Sequence, residues 1–200
     1  MKRFYLCALL LTTLSLTATC SKSPTPPSAT APSTTVPATS TLTFQVAAGA
    51  GNPADSGSYS TANATFGASV RTTCVPNPNI AGSVCPDLMA LVRGTDGRQC
   101  QMWIFAPNGT TLRVGSYPKA AFSPAADTAG FFFNCARAGT TCGDNASAFT
   151  IQELQSNASG VVTRLHLTFE QTCLGGTPPT IGFFGKGTGE LWIIDGTTPF

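Results

Sequence analysis

The segment VVTRLHLTFEQTC, residues 161–173, alternates apolar and polar side chains along most of its length. Leu165, Leu167 and Phe169 fall on one side, and Arg164, His166 and Thr168 on the other. A period of two marks a β-strand buried on one face, because successive strand side chains point to opposite faces. The same period runs through Leu42, Phe44 and Val46, and again through Phe66, Ala68 and Val70. In CQMWIFA, Cys100, Met102 and Ile104 share one face, with Trp103 and Phe105 on the other. DLMALV, TLRVGSY, GFFFNC, AFTIQEL, TIGFFG and ELWIID are further short runs, set apart by Gly, Pro and Asn. No helical period persists over a useful length. PNGT is a turn sequence, and SNASG joins AFTIQEL to VVTRLHLTF as a hairpin. About nine or ten such strands predict an all-β fold, an antiparallel β-sandwich over residues 41–200.

Ahead of this domain the chain changes character. Met1-Lys2-Arg3 is a short basic start, and Phe4 to Leu16 is an apolar core too short to span a bilayer. Residues 1–19 therefore read as a signal peptide. The segment LTATC resembles the lipobox of bacterial lipoproteins, in which a cysteine after a small residue receives diacylglycerol; here that cysteine is Cys20. The competing reading is ordinary signal-peptidase cleavage near Ala18. Cysteine parity separates the two. Of the eight cysteines, Cys7 leaves with the leader, and acylation of Cys20 leaves an even six for an oxidising compartment. Residues 20–40 then form a lipidated cysteine and a disordered tether. From Ser21 onward this stretch holds Pro, Ser, Thr and Ala with a single Lys22, a single Val36 and no aromatic residue, too little apolar surface to order itself. Its prolines favour extended polyproline II, a reach of roughly 60 Å for ~20 residues. Ser21, where an aspartate would retain the protein at the inner membrane, points to the outer membrane, facing the periplasm or the exterior.

Removing Lys2 and Arg3 brings the basic residues from 11 to 9, equal to the 9 acids. With no run of Lys or Arg, a nucleic-acid partner is not expected. The expected partners are the membrane, through the N-terminal lipid, and a protein or a glycan.

Six cysteines admit many pairings. Cys74 and Cys85 bracket VPNPNIAGSV, and a bridge there closes a loop with little core of its own. Cys100, Cys135, Cys142 and Cys173 stay open at this level. A metal site needs soft ligands at tight spacing such as C-x-x-C, and none occurs. TDGR and GDNAS lack the spacing of a calcium loop and read as turns. No cofactor is expected.

From about Thr43 to Gly182 the chain resembles an uncharacterised family of secreted bacterial β-domains. The residues that carry the likeness are MWIFAPNGTTLRVGSY, CGDNASAFTIQEL, SNASGVVTRLHLTFEQTCLGG and PPTIG, with the F-E-Q-x-C motif at Phe169 to Cys173 the most specific. Leu174 stands where the family has glutamate. The resemblance implies one β-rich domain and a bridge between Cys142 and Cys173, with Cys100–Cys135 as the accompanying pair. It implies no activity.

No catalytic residue is expected. His166, the single histidine, lies in mid-strand between Leu165 and Leu167 and reads as an imidazole on the solvated face; G-x-S-x-G is absent. Glu153 and Glu170 lie on strands joined by a hairpin, where facing carboxylates need a cation between them, and Arg164 is the candidate. With Gln171, these residues form a candidate binding set. The leading expectation is a non-enzymatic binding or interaction module at the cell envelope. The alternatives are an inhibitor or immunity protein for a periplasmic hydrolase, and an envelope-polymer hydrolase using Glu153 and Glu170 across a cleft. The aromatic run Phe131–Phe133 and the end ELWIIDGTTPF read as core or as a sticky edge.

Overall fold

The structure, a computed structural model, describes residues 36–48, 54–70, 85–136, 144–175 and 186–197. The leader, Cys7, Cys20, the tether up to Thr35, Cys74, Cys142, the TIGFFG run and the last three residues lie outside the described residues, as do the side chains at 136, 144, 145 and 173–175. The strands are β1 (Thr41–Val46), β2 (Asp55–Ser60), β3 (Ala64–Val70), β4 (Leu88–Gly94), β5 (Gln99–Phe105), β6 (Gly115–Ala121), β7 (Ala129–Ala136), β8 (Asp144–Ser156), β9 (Val162–Gly175) and β10 (Lys186–Ile194). Among the described residues there is no helix, and so none long and apolar enough to cross a membrane.

All ten strands belong to one sheet, in the order β2-β1-β10-β9-β8-β6-β7-β5-β4-β3. The all-β expectation holds. The architecture differs from two separate antiparallel sheets: it is a single mixed sheet curled into a nearly closed barrel. Among the ten described strands the one parallel pairing is β6 with β7, through Ala120–Ala129 and Ala121–Gly130. It arises because β6 first pairs antiparallel with β8, and the chain then crosses to the β5 side.

The period-two residues fill the interior. Leu42, Phe44, Phe131, Phe133, Phe149, Ile151, Leu165, Leu167, Phe169, Leu191 and Ile193 are buried in one cluster with the inward residues of β3, β4 and β5. Phe133 sits at its centre, with ring centroids 5.4 Å from Phe44 and 4.6 Å from Phe169. Gly189 permits this density: a Cβ there would meet the Phe169 ring at 2.4 Å. Phe132 points the other way and is buried against Trp103 and Phe122 at 5.3 and 5.5 Å. The aromatic run is therefore packed, not a free edge. Cys100 and Cys135 are register partners on β5 and β7 and form a disulfide. Cys85 is also disulfide-bonded.

Several local expectations shift. DSGSYS, rich in Ser and Gly and without a strong alternating pattern, forms β2. The strand expected from Thr111 begins only at Gly115. Asp144 to Ser147 of GDNAS open β8 instead of forming a turn. Ser40, assigned to the tether, is built into the barrel: its hydroxyl donates to the Ile194 carbonyl at 3.0 Å and accepts from the Ile194 N–H at 2.9 Å.

Both edges of the sheet are largely capped, which matters because an open edge is a template for strand addition. On β3, Ala68 N–H donates to Thr197 O (3.0 Å) and Val70 N–H to Gly160 O (2.7 Å). Gly160 holds φ 77° in the β8–β9 hairpin, where a Cβ would meet Val70 O at 2.6 Å. On β2 the capping groups come mostly from side chains. Ser56 N–H donates to Asp55 Oδ1 and Ser56 O accepts from Arg98. Asn63 takes the next positions, accepting from Ser60 N–H at 2.7 Å and donating to Ser58 O at 3.3 Å.

Arg98, in the turn TDGR, also clasps the seam of the barrel. Its guanidinium meets Asp55 at 3.0 Å and stands 3.9 Å from Asp96, which accepts the Tyr59 hydroxyl at 3.1 Å. Burial alone would lower the Arg98 pKa, but the hydrogen bond and charge of Asp55 outweigh it and raise it. Burial, then the Asp96 hydrogen bond, raises Tyr59. The Arg98 backbone N–H, then the Tyr59 hydroxyl, hold Asp96 below the usual carboxylate value.

Candidate functional site

The outward residues of β2, β1, β10 and β9 form a lattice read directly from the register. One row runs Ser58, Thr43, Glu190, Thr168; the next runs Ser56, Gln45, Thr188, Glu170. A third row, Ser60, Thr41, Trp192, His166, borders the first. A solvent-open groove of about 720 Å³ follows the first two rows, lined by Thr43, Gln45, Ser56, Ser58, Thr168, Thr188 and Glu190, with Phe44 and Phe169 beneath. Its walls are hydroxyls, one amide and one carboxylate. A second hollow continues over Ser116, Thr150, Thr168 and Glu170.

Glu190 is the organised group of the groove. Its Oε1 meets His166 Nε2 at 2.7 Å and accepts from Trp192 Nε1 at 3.0 Å. The two rings are register partners and stack with centroids 3.5 Å apart and planes 13° apart. His166 thus lies on the outer face, as expected, yet is only 7% exposed because Trp192 lies flat against it. The Glu190 side chain remains 40% exposed. Both hydrogen bonds fall on Oε1, so Oε2 has no partner among the described residues. The arrangement fixes a carboxylate at the groove wall and leaves it one acceptor atom without a partner among the described residues.

The residues singled out from sequence do not gather in one place. Glu153 and Arg164 do meet, Arg164 Nε donating to Glu153 Oε1 at 2.6 Å, and Gln155 donates to the same oxygen at 3.1 Å. The Glu153 bond and charge raise the Arg164 pKa. Glu170 is separate, held by Lys186 at 2.8 Å with both side chains exposed. It registers with Ala148, five positions along β8 from Glu153 and about 16 Å away at the usual strand rise. Arg164 therefore does not bridge the two carboxylates. Gln171 points inward and is 6% exposed. It accepts from Phe133 N–H at 2.8 Å and donates to Phe133 O at 3.0 Å, so it is a core residue and not part of a binding surface.

Glu190 and the hydroxyl rows escaped the sequence reading. Their neighbours come from β1 and β10, which are remote in the chain, and from β2, whose Ser/Gly composition carries no strand signal. The signal that was available is the outward position of Glu190 beside Trp192 in ELWIID, opposite an outward histidine. Among the described residues, no group of His, Cys, Asp and Glu is placed to hold a metal ion. Compared with known proteins, the chain matches no family model, no curated protein and no solved structure.

Proposed function

We propose that this chain is a cell-envelope lipoprotein, acylated at Cys20 after removal of residues 1–19, whose barrel is a non-enzymatic binding module presented on a Pro/Ser/Thr tether. The leader and the parity of the cysteines support the anchored reading. One observation carries the binding reading: an open polar groove with a fixed carboxylate lies on a barrel whose two sheet edges are both capped. The capped edges disfavour recognition by strand addition, which favours the faces of the barrel. A glycosidase pair needs carboxyls about 5–10 Å apart across a cleft. Glu153 and Glu170 stand about 16 Å apart along the strand, each with its own cation, a geometry that favours binding over that chemistry.

Two measurements test the proposal. Intact mass of the mature protein from the membrane fraction is expected to show an acylated N-terminal cysteine at position 20 and no free thiol. A photocrosslinking side chain at position 45, in the groove, is expected to give a reproducible covalent adduct in intact cells. The same group at position 113, which does not line the groove, is expected to give none. Equal labelling at both positions, or none at either, would refute the module.

A further inference from the structure

We infer that the groove across β2, β1, β10 and β9 takes a neutral glycan chain, an inference that rests on the binding-module reading above. No Lys or Arg lines the groove, and its one charged wall residue is Glu190, so an anionic ligand is repelled. An apolar ligand finds little to cover, because Phe44 and Phe169 beneath the groove are only 3% and 5% exposed. An extended peptide is disfavoured at the neighbouring β2 edge, where Asp55, Asn63 and Arg98 occupy most of the main-chain groups. A polyhydroxylated chain suits what remains. Serine and threonine hydroxyls both donate and accept, as sugar hydroxyls do, and Gln45 adds an amide with both capacities.

Glu190 supplies the anchor. His166 and Trp192 hold Oε1, so the carboxylate does not have to be ordered when ligand arrives, and Oε2 is left to accept from a sugar hydroxyl. From β2 to β9 the groove crosses three strand spacings, about 14 Å, the length of a short oligosaccharide.

The test uses the full mature chain and neutral tetrasaccharides of the chitin, cellulose and starch types, titrated calorimetrically, with heparin as the anionic comparison. At least one neutral tetrasaccharide is expected to bind, and heparin is not. Glu190→Gln keeps an acceptor for Trp192 but loses the charged one, and is expected to weaken binding about tenfold. Thr188→Arg, on the exposed outer face, is expected to abolish binding while leaving the urea midpoint unchanged. No binding of any of the three sugars at millimolar concentration overturns the inference, as does binding that both substitutions leave intact or preferential binding of heparin. If the sugars fail while position 45 still crosslinks specifically in cells, the glycan is wrong and the binding module stands; if both fail, both are wrong.

Discussion

The side-chain amide of Gln171 pairs with the main chain of Phe133 as a neighbouring strand would, accepting its N–H at 2.8 Å and donating to its carbonyl at 3.0 Å. The need arises from topology. β6 is in register with β7 only as far as Gly130, and among the described residues no strand is registered with Phe133 on the side of β7 turned away from β5. Gln171, inward on β9, fills the split. Gln171→Leu keeps the volume but leaves two buried main-chain groups unpaired, each costing about 1–3 kcal/mol. The expected loss is about 2–4 kcal/mol, read from urea unfolding at unchanged m-value. Gln171→Glu retains the acceptor but can donate to the carbonyl only while protonated, so its loss of stability should grow as pH rises and the buried carboxyl is forced to ionise. A neutral Gln171→Leu would remove the amide from its assigned role.

A second prediction concerns the β2 edge. Asn63 alone covers Ser60 N–H, Ser58 O and, through its own main-chain N–H at 3.0 Å, Ser60 O. Asn63→Ala removes the two side-chain caps in an exposed setting, where water replaces them at a cost of about 1 kcal/mol. The larger expected effect is on association, because a Ser/Gly strand with free N–H and C=O groups invites a second copy. Sedimentation velocity should show a concentration-dependent dimer in Asn63→Ala and a monomer in wild type. A monomeric Asn63→Ala would show that the caps do not control association.

The sequence made the interior legible and the site mostly illegible, for one physical reason. Period two reports which face of a strand is buried, so Leu165, Leu167 and Phe169, with Cys100, Met102 and Ile104, were assigned to one side correctly. It does not report which strands are neighbours. The stack of His166 on Trp192, the clasp of Arg98 on Asp55 and the pairing of Ser40 with Ile194 all depend on neighbours separated by 26 to 154 residues. The Glu153–Arg164 pair is legible because a short hairpin sets its register, whereas Glu170 lies too far along the strand for the same hairpin to bring it to Arg164. The curl into one sheet was likewise hidden, since it turns on β2, whose composition resembles a loop.

The Cys100–Cys135 bridge links β5 to β7 across 35 residues of sequence. Such a loop closure contributes about 2–4 kcal/mol through the unfolded chain. The double substitution Cys100→Ala with Cys135→Ala is expected to lower stability by that amount while the far-UV signal of the sheet persists. Loss of all β signal at neutral pH would mean that the bridge is required for folding and not only for its stability.

The clasp formed by Tyr59, Asp96 and Arg98 predicts losses of stability at both ends of the pH scale, with opposite signs. Asp96 is held below its ordinary 3.8 by the Arg98 backbone N–H and the Tyr59 hydroxyl. A depressed acid stabilises the fold above its unfolded pKa, and that contribution fades as pH falls through the folded value. Asp96 is exposed, so the effect is small. Tyr59 is raised above its ordinary 10.0 by burial, then by Asp96. A raised group contributes fully below its unfolded pKa and loses that contribution as pH climbs through the folded one, so the clasp should weaken above about pH 10. Tyr59→Phe separates the two arms. It leaves no phenol to ionise, so the dependence on pH above 10 attributable to this residue should vanish, while at neutral pH the loss of the 3.1 Å hydrogen bond to Asp96 should cost about 0.5–1.5 kcal/mol. Urea midpoints measured at intervals through the acid, neutral and alkaline ranges read all three effects. An alkaline decline that is identical in Tyr59→Phe and wild type would place the titrating group elsewhere in the barrel.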